Sequence, residues 1–247
     1  MLAADGAAVV GKPTRRLQLL ERSADAVRAG GGYRAIFALT LVLEGCDWER
    51  GDRGYVNHPA DPGGETLAGI TISEWRAWHN SMGVDVAPPL RSASVQQVEA
   101  FYEQRYWKAV RGEALEREGR HLLAFHAFDW GVNAGAVRGV SYLQAAIGLP
   151  PSLVDGRIGH GTLAAAGALT EGGERRAAAR YLALRACHYR VRACAADGDA
   201  RAAELRAAGI TPPRPHAPSA VFLAGWLARC RWGARASGVE AGVLYAR

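Results

Sequence analysis

The chain has no run of about 18 or more apolar residues, so no membrane-spanning helix is expected. Its first residues, MLAADGAAVVGKPTRR, lack the succession of positive charge, long apolar stretch and cleavage site that marks a secretory signal. The chain therefore reads as made in the cytoplasm, needing help to leave if it acts outside. Cysteine is scarce: Cys46, Cys187, Cys194 and Cys230 form no C-x-x-C pair and read as free buried thiols, not as a disulfide framework. No alternating strand of convincing length occurs beyond short pieces around residues 54–56 and 69–72, and no long repeat is visible. Sandwiches, barrels and solenoids are thereby excluded. There is no His-x-x-x-His, which argues against a metal site, and no Lys-Ser/Thr follows the glycine pair at 63–64, which argues against a phosphate cradle. No cofactor is expected.

What is present is an ordinary globular composition. Of 247 residues 49% are hydrophobic, enough to bury a sizeable core in one large or two small domains. A formal charge of +6 attracts polyanions, among them nucleic acid, anionic lipid and acidic wall polymers. Residues 1–32 hold the basic KPTRR and a short helical pattern ending at Gly30-Gly31-Gly32, and read as an N-terminal arm and linker. YRAIFALTLVLEG then sets Phe37, Leu41 and Glu44 on one helical face, with Gly45 as a C-cap. Thr71 to Glu74 and Ser94 to Gln97 have the spacing of capping boxes and start two helices. HLLAFHAFDWGVNAG, RGVSYLQAAIG, ERRAAARYLALRACHYRVRACAAD and AVFLAGWLARCRWGAR continue the helical periodicity, and the third reads as a basic, solvated face.

Between YRAIFALTLVLEG and the helix that starts at Thr71 runs VNHPADPGGETLAGIT, residues 56–71, too rich in Pro, Gly, Asp and Asn for the middle of a helix or strand. Asp61 in Asp61-Pro62-Gly63-Gly64 is ordinary turn chemistry by itself, and His58 beside it makes no metal site alone. Glycosidic cleavage needs a carboxylic acid that keeps its proton near neutral pH, and burial on an apolar face supplies that condition. Glu44, at the end of an apolar helical stripe, meets it; a surface residue ending a helix is the plainer alternative.

The same stretch resembles the signature of the glycoside hydrolase family 108 N-acetylmuramidases, in which a helix ending in Glu-Gly-Gly runs into a Tyr-Val-Asn-x-Pro-x-Asp-Pro-Gly-Gly-x-Thr loop. FYEQRYWKAV, FDWGVNAGAVRGVSYLQAAIG, DGRIGHGTLAA and FLAGWLARC are similar to further segments of that family, from about Tyr33 to Gly233. The resemblance implies a mostly α, lysozyme-like helical fold with at most a short β-hairpin near the catalytic loop. It divides the chain into a lysozyme-like half, 33–135, and a helical peptidoglycan-binding-like half, 136–247, packed on it. It gives Glu44 the role of general acid in cleaving the β-1,4 bond after N-acetylmuramic acid in peptidoglycan. Phage lysozymes of the same superfamily further imply Asp61 as the residue activating water or stabilising positive charge, and Thr66 as the one holding the water.

Two departures matter. CDWERGDR, residues 46–53, intervenes where the family runs directly on, so Glu49 is an alternative acid; the unbroken stripe favours Glu44. Leu67-Ala68 replaces a polar residue and an aromatic, so a sugar-stacking ring is missing or comes from Trp48 or Trp75. Tyr106, Trp107 and Asn133 are the candidate substrate-binding residues, with Asp129 either beside them or held by an arginine. The Asp155-Gly156-Arg157-Ile158-Gly159 segment reads as a structural turn.

The expectation is thus a phage or prophage endolysin reaching peptidoglycan glycan strands through a holin. The alternatives are a virion-carried lysozyme that binds virion proteins through residues 1–32, and a non-catalytic wall-binding or assembly protein of the same fold. No specific nucleic-acid partner is expected, because neither a helix-turn-helix nor interleaved aromatic motifs accompany the charge.

Overall fold

The computed structural model describes residues 14–57 and 64–240. Among them, helices α1 (Arg15–Arg28) and α2 (Gly32–Leu43) come first, then a hairpin of β1 (Thr66–Leu67) and β2 (Ile70–Thr71). Helices α3 (Ile72–Ser81), α4 (Val95–Tyr102), α5 (Gly112–Arg117), α6 (His121–Ala134) and α7 (Ala136–Ala146) follow. The remainder is α8 (His160–Gly167), α9 (Glu171–Arg192), α10 (Gly198–Ala207) and α11 (Leu223–Ala236). The fold is mostly α with one short antiparallel hairpin, as expected.

Local chemistry sets the boundaries. Thr71 and Ser94 each accept a hydrogen bond from the backbone N–H three residues on, while Glu74 and Gln97 reach back to the cap N–H, so both capping boxes form. At the end of α2 the N–H of Cys46 bonds the Leu41 carbonyl at 2.9 Å and that of Gly45 bonds Val42 at 3.1 Å. This is a Schellman closure, with Gly45 at φ 93° where a side chain would be strained. Helix α4 runs on through a π-helical turn, Glu103–Trp107, before α5.

The triple glycine, expected as a linker, is instead a tight corner between α1 and α2. Gly30 closes α1 at φ 77°, and a Cβ on Gly31 would lie 2.8 Å from the Cβ of Ala35 and 2.9 Å from the Ala26 carbonyl. Only glycine permits that approach. Helix α1, expected within a free arm, accordingly buries Leu19, Leu20, Ala24 and Val27 against α2 and α11. Residues 1–13, the rest of that arm, lie outside the described residues.

One continuous buried cluster runs from Leu19 to Ala236, and α6 is at its centre with every residue from Leu122 to Gly131 buried. A helix apolar on all sides must be enclosed. Helix α7 comes close to it through Gly139, where a Cβ would lie 2.5 Å from the Ala127 carbonyl. Helix α9 brings Glu174, whose carboxylate accepts from the N–H groups of Leu122 and Leu123 and so caps α6 from outside. Far from being a solvated face, α9 buries Tyr181, Leu182, Leu184, Arg185, His188 and Tyr189. Alanines let it pack close, and its buried cation is neutralised as described below. The 155–159 turn is held by Gln144, which donates to Asp155 and Arg157 and accepts from the N–H groups of Asp155 and Gly156.

Two enclosed histidines make stability depend on pH. Burial pushes both His126, bonded to Ser237, and His188, bonded to Tyr142, down to about 3 from the ordinary 6.5. Both stay neutral in the fold, whereas the unfolded chain takes up protons below about pH 6.5. Their contribution is therefore fully present above pH 6.5 and is lost as pH falls towards 3. The calorimetric unfolding temperature is expected to fall already between pH 6.5 and 4.5, above the carboxylate range, and His188→Gln should flatten that slope.

Candidate active site

Glu44 is the residue that ends α2, directly before the Schellman glycine, and this fixes where its side chain leaves the helix. Its carboxyl is 21% exposed and has two different neighbours. Oε1 accepts from Nη1 of Arg229, on α11, at 2.7 Å. Oε2 lies against the tip of the β1–β2 hairpin, where a Cβ on Gly69 would stand 3.1 Å from it.

That hairpin has a two-residue turn with both central residues in the left-handed region, Ala68 at φ 50° and Gly69 at φ 77°, the geometry that suits the strand twist. Alanine there is strained, by about 1 kcal/mol, and Tyr102 holds it, donating its hydroxyl to the Ala68 carbonyl at 2.6 Å. Thr66 opens the same hairpin, paired with Thr71 on one side and bridged to Val56 on the other. The turn thus presses on Glu44 while its strands carry Thr66. Gly69→Ala is expected to cost about 1–2 kcal/mol of stability through the left-handed backbone alone. By pushing on Oε2 it should also lower turnover about ten- to a hundredfold; steady-state rates on cell walls, compared with the unfolding temperature, separate the two effects.

Behind Glu44 lies a chain of buried charges. Arg229 donates to Asp129 on α6 through Nε at 3.1 Å and Nη2 at 2.6 Å, and Asp129 pairs in turn with Arg185 of α9. The Arg185 guanidinium lies over the Trp130 ring, 4.6 Å from its centroid, and bonds the Tyr189 hydroxyl. Burial would raise the Asp129 carboxyl, but Arg229 and Arg185 hold it well below the usual range. Against its own desolvation, Arg229 is held above its ordinary value by Asp129 and Glu44. Two carboxylates and two guanidiniums thus compensate each other, the condition under which buried charge is tolerated.

The remaining expected residues divide. Asn133 is exposed, and with its amide turned so that the oxygen faces Arg229 it accepts from Nη2 at 3.0 Å, which joins it to Glu44 through one guanidinium. Tyr106 is half-buried, its ring 5.4 Å from that of Tyr102; burial and Glu74 push its hydroxyl up to about 12, so it stays a neutral donor. Trp107, expected on the substrate, is a core residue. It is 4% exposed and packs on Tyr33, Phe128 and Gly112, where no sugar reaches it. Trp75, expected as a stacking ring, is fully buried and donates to the Pro88 carbonyl. Glu49 stands 60% exposed in ion pairs with Arg15 and Arg22 of α1, and its carboxylate is tied to that helix. Asp61 and His58 lie outside the described residues. Sequence reasoning missed Arg229, Arg185 and Tyr102, although the arginine in FLAGWLARC was in view.

A helical molecule with a glutamate ending a buried helix against a β-hairpin is of the lysozyme-like class. The family comparison makes this specific: residues 37–135 match the family Glycosyl hydrolase 108, a span that holds Glu44, the hairpin, Tyr106, Asp129 and Asn133. The match covers this part of the chain only, and it supports a glycoside hydrolase of lysozyme-like fold. Among solved structures it is similar to that of Brucella abortus SagA, with 25% identity, a TM-score of 0.50, and coverage of 87% of this chain and 93% of that one. No curated relative matches the chain.

Proposed function

We propose that the chain is an N-acetylmuramidase, cleaving the β-1,4 bond between N-acetylmuramic acid and N-acetylglucosamine in peptidoglycan, with Glu44 as general acid. The observation that carries this reading is the fixed Glu44 carboxyl, with one oxygen on Arg229 and the other against the hairpin turn. A general acid must meet the departing sugar oxygen in one defined direction, and a carboxyl anchored at one oxygen does so.

Arg229 is shared: Asp129 takes its guanidinium through three contacts against the one to Glu44. Asp61, which precedes the hairpin in the sequence, activates the attacking water or stabilises charge at the anomeric carbon, and Thr66 holds that water with its hydroxyl. Asn133 and Tyr106 supply amide and ring contacts to the N-acetyl sugars.

Mass spectrometry of fragments released from purified walls tests the bond. Muramic acid at the new reducing ends is expected, and glucosamine there sinks the muramidase reading. The delivery route that goes with it is that of a phage lysin released from the host cytoplasm through a holin. A culture expressing the chain should then lyse only when a membrane pore is co-expressed.

A further inference from the structure

A groove of about 710 Å³ lies between the π-helical turn after α4, the α6–α7 corner and the loop at residues 209–214. It is within the roughly 300–1,000 Å³ of ligand sites. Its rim carries three cations, Arg105, Arg138 and Arg214, and one carboxylate, Asp155. Asp155 is already occupied by Gln144 and the Arg157 N–H. Arg138 uses one nitrogen on the Ala134 carbonyl, and among the described residues the guanidiniums of Arg105 and Arg214 have no hydrogen-bond or ion-pair partner. Three arginines held around a concavity, two of them unpartnered, are a set of donors for an anion with more than one carboxylate.

Residues of the groove's lining neighbour the candidate active site at two points. Ala134 and Gly135, at its edge, directly follow Asn133, whose amide faces the guanidinium that holds Glu44. Tyr106, which also lines it, packs on Tyr102, which donates to the hairpin turn beside Glu44. A glycan that reaches from Glu44 and Asn133 to Tyr106 meets the lining of this groove at Tyr106. Muramic acid bears a short peptide stem with free carboxylates on its lactyl group.

On the muramidase reading, we infer that this groove is a subsite for the acidic peptide stem, with Arg105, Arg138 and Arg214 as carboxylate receptors. The enzyme thereby selects glycan that still carries its peptides. The triple variant Arg105→Gln/Arg138→Gln/Arg214→Gln changes only exposed side chains and is expected to fold. Its KM on stem-bearing glycan should rise about tenfold, the loss of charge-assisted bonds at solvent-accessible sites, while its kcat/KM on glycan stripped of peptide by an amidase stays within about twofold of wild type. Calorimetric titration with the free tripeptide stem supplies a readout that needs no turnover. Wild type should bind it more tightly than its carboxyl-amidated form, and the triple variant should bind both alike. Equal losses on stem-bearing and stripped glycan, or no preference of wild type for the free acids, overturn the inference. A wild type inert on both glycans that still binds the acidic stem sinks the muramidase reading and leaves the subsite standing.

Discussion

Glu44→Gln is expected to leave a folded protein whose clearing of a cell-wall suspension falls by about 10²–10⁴-fold, the usual contribution of a positioned general acid. The amide keeps the shape of the side chain, and its oxygen still accepts from Nη1 of Arg229. What it lacks is a proton to give. The unfolding temperature should therefore move little, and an activity loss that came with unfolding would not support the assignment. Glu49→Gln is the paired test. Glu49 is exposed and bonded to Arg15 and Arg22, and surface ion pairs contribute about 0–1 kcal/mol. Its rate is expected to stay within about twofold of wild type. If Glu49→Gln were dead and Glu44→Gln active, the general acid would be Glu49, and the charge chain behind Glu44 would be scaffolding alone.

Asp129→Asn is expected to have the largest effect on stability, about 3–5 kcal/mol, because it strips a buried anion from between two buried cations. Arg185, 1% exposed at its side chain, would be left with the Trp130 face and the Tyr189 hydroxyl, neither of which carries a compensating charge. For a chain of this length such a loss lowers the unfolding temperature by roughly 10 °C. The sign with pH follows from the depressed Asp129 carboxyl. Its contribution is present above the unfolded carboxylate value near 4 and is lost as pH falls below it, so the wild-type advantage over Asp129→Asn should shrink in acid. The same substitution hands Arg229 to Glu44 undivided. Steady-state rates of Asp129→Asn, set against its unfolding temperature, are expected to fall further than the folded fraction does; a rate that falls no further would mean that Asp129 serves the fold and not the reaction.

Much of this architecture was legible because its causes are local. Capping boxes at Thr71 and Ser94 are spelled within four residues, and the glycine after Glu44 announces the Schellman closure. The hairpin lies at residues 66–71, beside the expected short strand piece and in the loop whose residues carried the resemblance. The errors have a common physical origin in packing between distant segments. Gly30 to Gly32 look the same in sequence whether they swing freely or let Ala26 and Ala35 approach, and the structure requires the second. Helix α9 reads as polar because arginines alternate with alanines, yet alanine is what allows a helix to sit deep, and Arg185 finds its counter-charge on another helix. Trp107 and Trp75 carried the right chemistry for sugars and were taken by the core instead. For the site, the placing of Glu44 at a helix end and the hairpin were visible, while Arg229 had no local signature that linked it to Glu44.

The separation between Glu44 and Arg229 is 185 residues. At ribosomal speeds of about 5–20 residues per second, roughly 10–40 s pass between the synthesis of the two. Throughout that interval the nascent chain carries Glu44 and the hairpin without the guanidinium that holds the Glu44 carboxyl. The geometry around Glu44 is thus complete only after α11 has emerged and docked, and chains abandoned earlier on the ribosome lack it.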